Sequence, residues 1–333
     1  MREIRRAGIL AAAVVAALMA AACFPPSQTP SEQTVPPGGR VVVTLPSLHH
    51  SQIVGVSSDA SSVLYSTALF LASPAPSHYW VYDDETGTKT SVPVVGGDAE
   101  AISPDGTKVV FSSRSPGLQV GPVAANCPLV QPWQPTQDLI CTELYLFDVT
   151  TGETRQLTGL EGSSDANHSM ARFSPDGGSI YFARIPGSWA PTGSHHTMDL
   201  TTGVVEPAGI NHPGYDCCTW DRGTHVVAHH TTSSAGVITT EVTSTDVDTG
   251  ETTTFFSDPE PWAYVRTFGG GRYLLLSRWS NQYQLFRWID LDTGTVRKVS
   301  TQWFSEDLSR MAVMQQNVAP DGIDRLILAP FAP

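Results

Sequence analysis

Ten histidines in a chain of 333 residues are its most versatile side chains, because a neutral imidazole can serve as general base, metal ligand or hydrogen-bond partner near neutral pH. Asp165, His168, His212 and Asp216 form the carboxylate and imidazole set that a hydrolase or lyase would draw on. No Gly-Xaa-Ser-Xaa-Gly elbow, His-Glu-Xaa-Xaa-His pair or phosphate-cradling glycine loop accompanies them. The expectation is therefore no catalytic constellation, no resident metal and no cofactor. Recognition is the stronger reading, because Trp133, Trp189 and Trp279 fall near the same segments as the histidines and supply broad aromatic contact area. An enzyme, or a metal-binding protein using the same histidines, is the alternative.

The elements that must position these residues are repeats. Turn residues Ala60, Gly106, Gly177, Gly223, Gly271 and Leu308 align, and three positions beyond each stands Val63, Val109, Ile180, Val226, Leu274 or Met311. A second series, the Thr-Gly turns, ends at Gly87, Gly152, Gly203, Gly250 and Gly294. Gly serves backbone conformations that strain other residues, and a turn Asp can hydrogen-bond its own loop, so both series read as structural. Each unit then holds four strands in about 45 residues, which is what a β-propeller blade requires. The fold class is all-β, a single propeller of six four-stranded blades over 40–333, with seven blades the alternative. Arg40–Leu45 is a strand without a unit, and placing it on the outer edge of the last blade closes the ring.

The segments AISPDGTKVVF, from Ala101, and RFSPDGGSIYF, from Arg172, resemble the repeats of TolB-like propellers, a likeness reaching from Val54 to Leu328. That resemblance implies the propeller fold and a role as an envelope partner of other proteins.

In such a ring, the Pro-Asp-Gly and Thr-Gly turns share one rim. The opposite rim collects the loops between second and third strands together with the blade-to-blade connections. His78, His195, His196, His229 and His230 are expected in or beside those loops, and His49, His50, His168 and His212 in the connections. The second unit carries an insertion of roughly 20 residues between Ser113 and Glu143, on the same rim. The candidate binding surface is accordingly His168, His195, His196, His212, Asp216, Trp133, Trp189 and Trp279, beside the 114–142 insertion, for a protein, peptide or glycan partner.

At the N-terminus, Arg2, Arg5 and Arg6 precede an apolar stretch from Ala7 to Ala22, short for a membrane span and normal for a signal peptide. Ala20 to Cys23 resembles a bacterial lipoprotein box, with Ala20 where Leu is usual, which implies cleavage after residue 22 and lipid on Cys23. Residues 23–39 then form a Pro-rich linker. This makes the chain an exported lipoprotein facing the periplasm or cell exterior, attached to a membrane by its lipid. Its net charge of −13 argues against nucleic acid as a partner. In an exported protein the remaining Cys127, Cys141, Cys217 and Cys218 are disulfide candidates. Cys127 with Cys141 would staple the insertion; Cys217 and Cys218 could bridge each other, remain thiols or pair with the insertion.

Overall fold

A computed structural model describes residues 35–45, 49–69, 77–114, 141–159, 166–185, 194–208, 217–221, 225–234, 237–246, 249–258, 263–268, 272–280, 283–290, 293, 295–299, 303–305, 307–318 and 323–331, in some strands as backbone only. All the described elements are strands. They form six separate four-stranded antiparallel sheets, the blades of one six-bladed propeller.

Blade 1 comprises His49–Val56, Ser62–Leu69, His78–Asp83 and Lys89–Val92; blade 2, Ala99–Ile102, Lys108–Ser113, Glu143–Asp148 and Thr154–Gln156. Blade 3 comprises Asn167–Phe173, Ser179–Ile185, Ser194–Asp199 and Val205–Pro207; blade 4, Cys217–Asp221, His225–Ser234, Val237–Asp246 and Thr252–Asp258. Blade 5 runs through Ala263–Phe268, Tyr273–Ser280, Tyr283–Asp290 and Val296–Val299. Blade 6 takes Trp303–Phe304, Arg310–Val318 and Ile323–Pro330 from the C-terminal end and Arg40–Leu45 from the N-terminal end. The expected closure is found: Arg40 pairs with Leu328 and Leu45 with Asp324.

Apolar side chains on the blade faces hold the ring together. Leu64, Val81, Val109 and Phe111 fill the seam between blades 1 and 2; Val110, Leu144, Ile180 and Phe182 fill the next. Val43 and Leu326 of blade 6 meet Ile53 and Val63 of blade 1, and Phe304 of blade 6 meets Leu275 and Trp288 of blade 5. Each fully buried side chain of this size contributes roughly 1.5–3 kcal/mol. The closing seam also carries charge, since Asp84 of blade 1 binds both Arg40 and Arg310 of blade 6.

The first turn series has one construction in four blades. Ser57, Ser103, Ser174 and Ser305 donate to Asp59, Asp105, Asp176 and Asp307 at 2.5–2.8 Å. The same hydroxyls accept the N–H groups of Ser62, Lys108, Ser179 and Arg310. The aligned anchors Ala60, Gly106, Gly177 and Leu308 all have positive φ, between 53° and 74°, so even the two non-glycine anchors adopt the turn geometry. In the second series Asp83, Asp148, Asp199 and Asp246 each accept the N–H of the threonine three residues on.

Candidate functional site

The seam between blades 2 and 3 changes character as it approaches the rim opposite the turns. Below, it is hydrocarbon; at the rim it is a network of buried polar groups. Glu143 opens a strand whose next residues, Leu144 and Tyr145, are fully buried, and Glu143 itself is 0% exposed. A carboxylate there needs partners, because its desolvation is otherwise costly. Thr158 Oγ1 donates to Glu143 Oε2 at 2.6 Å and accepts from the Leu144 N–H at 2.9 Å. His168 Nδ1 stands 3.0 Å from the same Oε2, with the ring not aligned for a hydrogen bond. Gly159, at φ +73°, backs the carboxylate so closely that a Cβ would lie 2.6 Å from Glu143 Cδ.

His168 is bound to blade 2 through its backbone as well. Its N–H donates to Thr142 O at 2.9 Å, and Asn167 Oδ1 accepts from the Thr142 N–H and hydroxyl at 2.8 and 2.9 Å. The inner strand of blade 3 is thus tied to the point where the chain returns from the 114–142 insertion. Deeper in the inner strand, the register breaks between Ser169 and Arg172, with Met170 at φ 58°. Arg172 spans to the Glu100 carbonyl at 2.8 Å, and burial in this seam raises the pKa of the Glu100 carboxyl.

Phe182 organises the histidines. The His168 ring lies 5.8 Å and the His196 ring 5.7 Å from it, centroid to centroid, and His196 pairs with Phe182 across the strands. His196 Nε2 meets Ser194 Oγ at 2.9 Å. His195 points to the opposite face by strand alternation, where it stacks on Tyr181 at 5.3 Å. Burial lowers the pKa of both rings; the positive charge of Arg184 and the neighbouring His168 lower His196 further, and His196 does the same to His195. At neutral pH His195 and His196 are therefore neutral hydrogen-bonding groups.

His168, expected in a connection, and His195 and His196, expected in or beside a loop, sit near the starts of strands and are wholly or partly packed into the blade. Their strands start at this rim, so main-chain pairing with Arg184, Ala183 and Phe182 draws them into the sheet. His49, His50, His229 and His230 also lie on strands. His225 and His229, four residues apart, share a strand, where that spacing spans about 13 Å and cannot chelate one ion as it would on a helix. Among the described residues no group of three or more His, Cys, Asp or Glu is placed to hold a metal. Cys141 is fully buried beside Glu143. Cys217, Cys218 and Trp279 lie on described strands whose side chains at those positions are outside the described residues. Cys23, Cys127, Trp133, Asp165, Trp189, His212 and Asp216 lie outside the described residues altogether. Glu143, Thr158 and Ser194 belong to the site without having been singled out; the available signal was a Glu opening an apolar strand just after the insertion.

No family model matches the chain, and no curated protein matches it. Solved structures do. TolB from Acinetobacter baumannii aligns at TM-score 0.50 and 16% identity, covering 85% of this chain and 54% of that one. A TolB-type protein of Agrobacterium tumefaciens aligns at TM-score 0.52 and 15% identity, over 88% of this chain and 94% of that one. The fold is that of a TolB-like propeller. An oligogalacturonate lyase from Vibrio parahaemolyticus shares it at TM-score 0.52 and 10% identity, over 89% and 93% of the two chains. At these identities the TolB-like propeller is a likeness of fold, and the chain spans about half the length of the Acinetobacter protein.

Proposed function

We propose that this chain is an exported lipoprotein whose propeller binds a protein, peptide or glycan partner through the rim bearing the 114–142 insertion. The observation that carries the reading is the junction at Thr142: the insertion returns to the ring where Glu143, His168 and Asn167 are locked together. Recognition loops are most effective when rooted in rigid framework. The 1–22 signal peptide, lipid on Cys23, the linker to residue 39 and a Cys127–Cys141 staple are parts of the same proposal, and TolB-like neighbours fit a binding scaffold. Deleting Gly117 to Gln137 is expected to leave the ring folded, as judged by an unchanged thermal midpoint, and to abolish capture of envelope partners. Unchanged partners in the deletion variant would overturn it.

A second reading has one observation in its favour, the Glu143–His168 pair with the Ser194–His196 contact on the same face of blade 3. Carboxylate-oriented imidazole is the apparatus of general acid–base catalysis. Loss of a detected hydrolase or lyase activity in His168→Gln, with folding intact, would favour it.

A further inference from the structure

The chain enters and leaves the ring on the turn rim. In blade 6 the place of the Thr-Gly turn is taken by two chain segments, because the third strand ends at Pro330 and the fourth begins at Arg40. Arg310, which follows the Ser305 turn, pairs with Pro330, and Arg40 pairs with Leu328. Both segments therefore lie level with that turn, and the Phe331 N–H donates to Ser309 O within it at 2.8 Å. Leu45, at the far end of the N-terminal strand, pairs with Asp324 and reaches the opposite rim.

Residues 35–39 fix the point of entry. The Gly39 N–H donates to Pro36 O at 2.8 Å, closing a β-turn with Pro37 second and Gly38, at φ +73°, third, the positions that suit each residue. The end of the third strand backs this turn: a Cβ on Gly38 would lie 2.9 Å from Pro330 Cγ, and one on Gly39 would lie 3.1 Å from Ala329 Cβ. Arg40 is held in turn by Asp84 of blade 1. A tether N-terminal to Val35 thus pulls on the outer edge of blade 6, at the turn rim.

Twelve residues carry the chain from Cys23 to Val35, a reach of at most roughly 40 Å. The blade is about 30 Å tall, judged from the nine residues of Arg310–Val318. Turned over, the ring would spend most of that reach in bringing the tether down the side of the blade. Adsorption does not compete, because a net charge of −13 repels the ring from anionic headgroups. We propose that the turn rim faces the membrane and that the binding rim is presented away from it, to a partner standing beyond the membrane surface. The inference rests on the lipid-anchor reading and adds the side from which the partner comes.

The test uses the full mature chain, lipid included, in vesicles of phosphatidylethanolamine and phosphatidylglycerol carrying a rhodamine-labelled lipid. A donor dye is placed at Thr151 on the turn rim or at Arg114 on the opposite rim. Both residues are exposed and both adjoin blade 2, so a tilt of the ring moves them together. Energy transfer to the lipid is expected to be about two-fold stronger from Thr151, because the rims stand a strand's length apart. Equal transfer, or stronger transfer from Arg114, would overturn the proposal. A second copy of residues 24–34 inserted into the tether should shrink the difference; an undiminished difference would make adhesion the cause and also overturn it. The readings fail separately. A mature chain that does not float with the vesicles has no lipid on Cys23, and the anchor reading falls together with this one. If the chain floats with Arg114 as the nearer donor, only the posture falls; if deleting Gly117 to Gln137 leaves capture unchanged with Thr151 nearer, only the insertion reading falls.

Discussion

The two rims of the ring are made from the same strands and differ in what their residues do. On the turn rim, one hydrogen-bond scheme recurs: a serine hydroxyl, an aspartate two residues on and a left-handed anchor, in blades 1, 2, 3 and 6. Among the described residues of the other rim nothing recurs in this way. Glu143 with His168, the insertion and the lengthened blade 4 hairpin each occur once among the described blades. Residues that fix register must repeat, because every blade needs the same turn; residues that recognise a partner have no reason to. On the turn rim the serines are buried but the aspartates reach solvent, whereas at the blade 2 and 3 seam both Glu143 and His168 are buried and depend on one another.

That contrast can be broken experimentally, and the largest effect should come from the buried seam. Glu143→Ala removes the partner of Thr158 and His168 and leaves a cavity, and is expected to cost about 3–4 kcal/mol in urea unfolding. A cost below about 1 kcal/mol would show that the network is not mutually dependent.

Gly106→Ala tests the turn rim. It forces a side chain into φ +74° with its Cβ 2.7 Å from Ser62 Cβ, for an expected loss of about 2–3 kcal/mol. Gly152→Ala, at φ +75° with nothing within 4 Å, should lose only about 1 kcal/mol. Equal losses would mean that packing around the first turn series contributes nothing.

Asp84→Asn removes the charge that holds Arg40 and Arg310 across the closing seam. Arg40 is exposed and Arg310 partly so, and solvent screening limits the expected loss to about 1 kcal/mol. Cleavage near Arg40 in limited proteolysis should rise with it, and an unchanged digestion pattern would argue that the apolar seam alone closes the ring.

The smallest effect is a separation in pH. His195 and His196 have folded pKa values below the ordinary 6.5, so the unfolded chain protonates first. Their contribution is complete above pH 6.5 and declines as pH falls through it. Asp307, held at about 2 against an ordinary 3.8 by the Ser305 hydroxyl and the Ser309 N–H and hydroxyl, contributes above pH 3.8 and loses that contribution only as pH falls toward 2. Thermal midpoints of His195→Gln and Asp307→Asn should therefore diverge from the parent's pH profile in separate windows, the first near neutrality and the second in acid.

Blade number, strand order and ring closure were legible because they follow from local rules. Ala60 and Leu308 align with Gly106 and Gly177 by their spacing to the next apolar residue, which carries the register, and all four share a positive φ. The position of His168, His195 and His196 at strand ends remote from the turns was legible for the same reason. Their burial was not. The burial of His168 depends on its contacts with Thr142 and Glu143 beside another blade, between residues that no short-range pattern links. Glu143 was missed as a site residue because its partners, Thr158 and His168, reach it from two blades.

Site-specific photocrosslinking in the intact cell envelope tests the central claim most directly, with one crosslinker at Arg114, where the insertion leaves the ring, and another at Thr202 on the turn rim. A discrete adduct from Arg114 and none from Thr202 is the predicted result. An adduct from Thr202 without one from Arg114 would place recognition on the repeated rim and contradict the account.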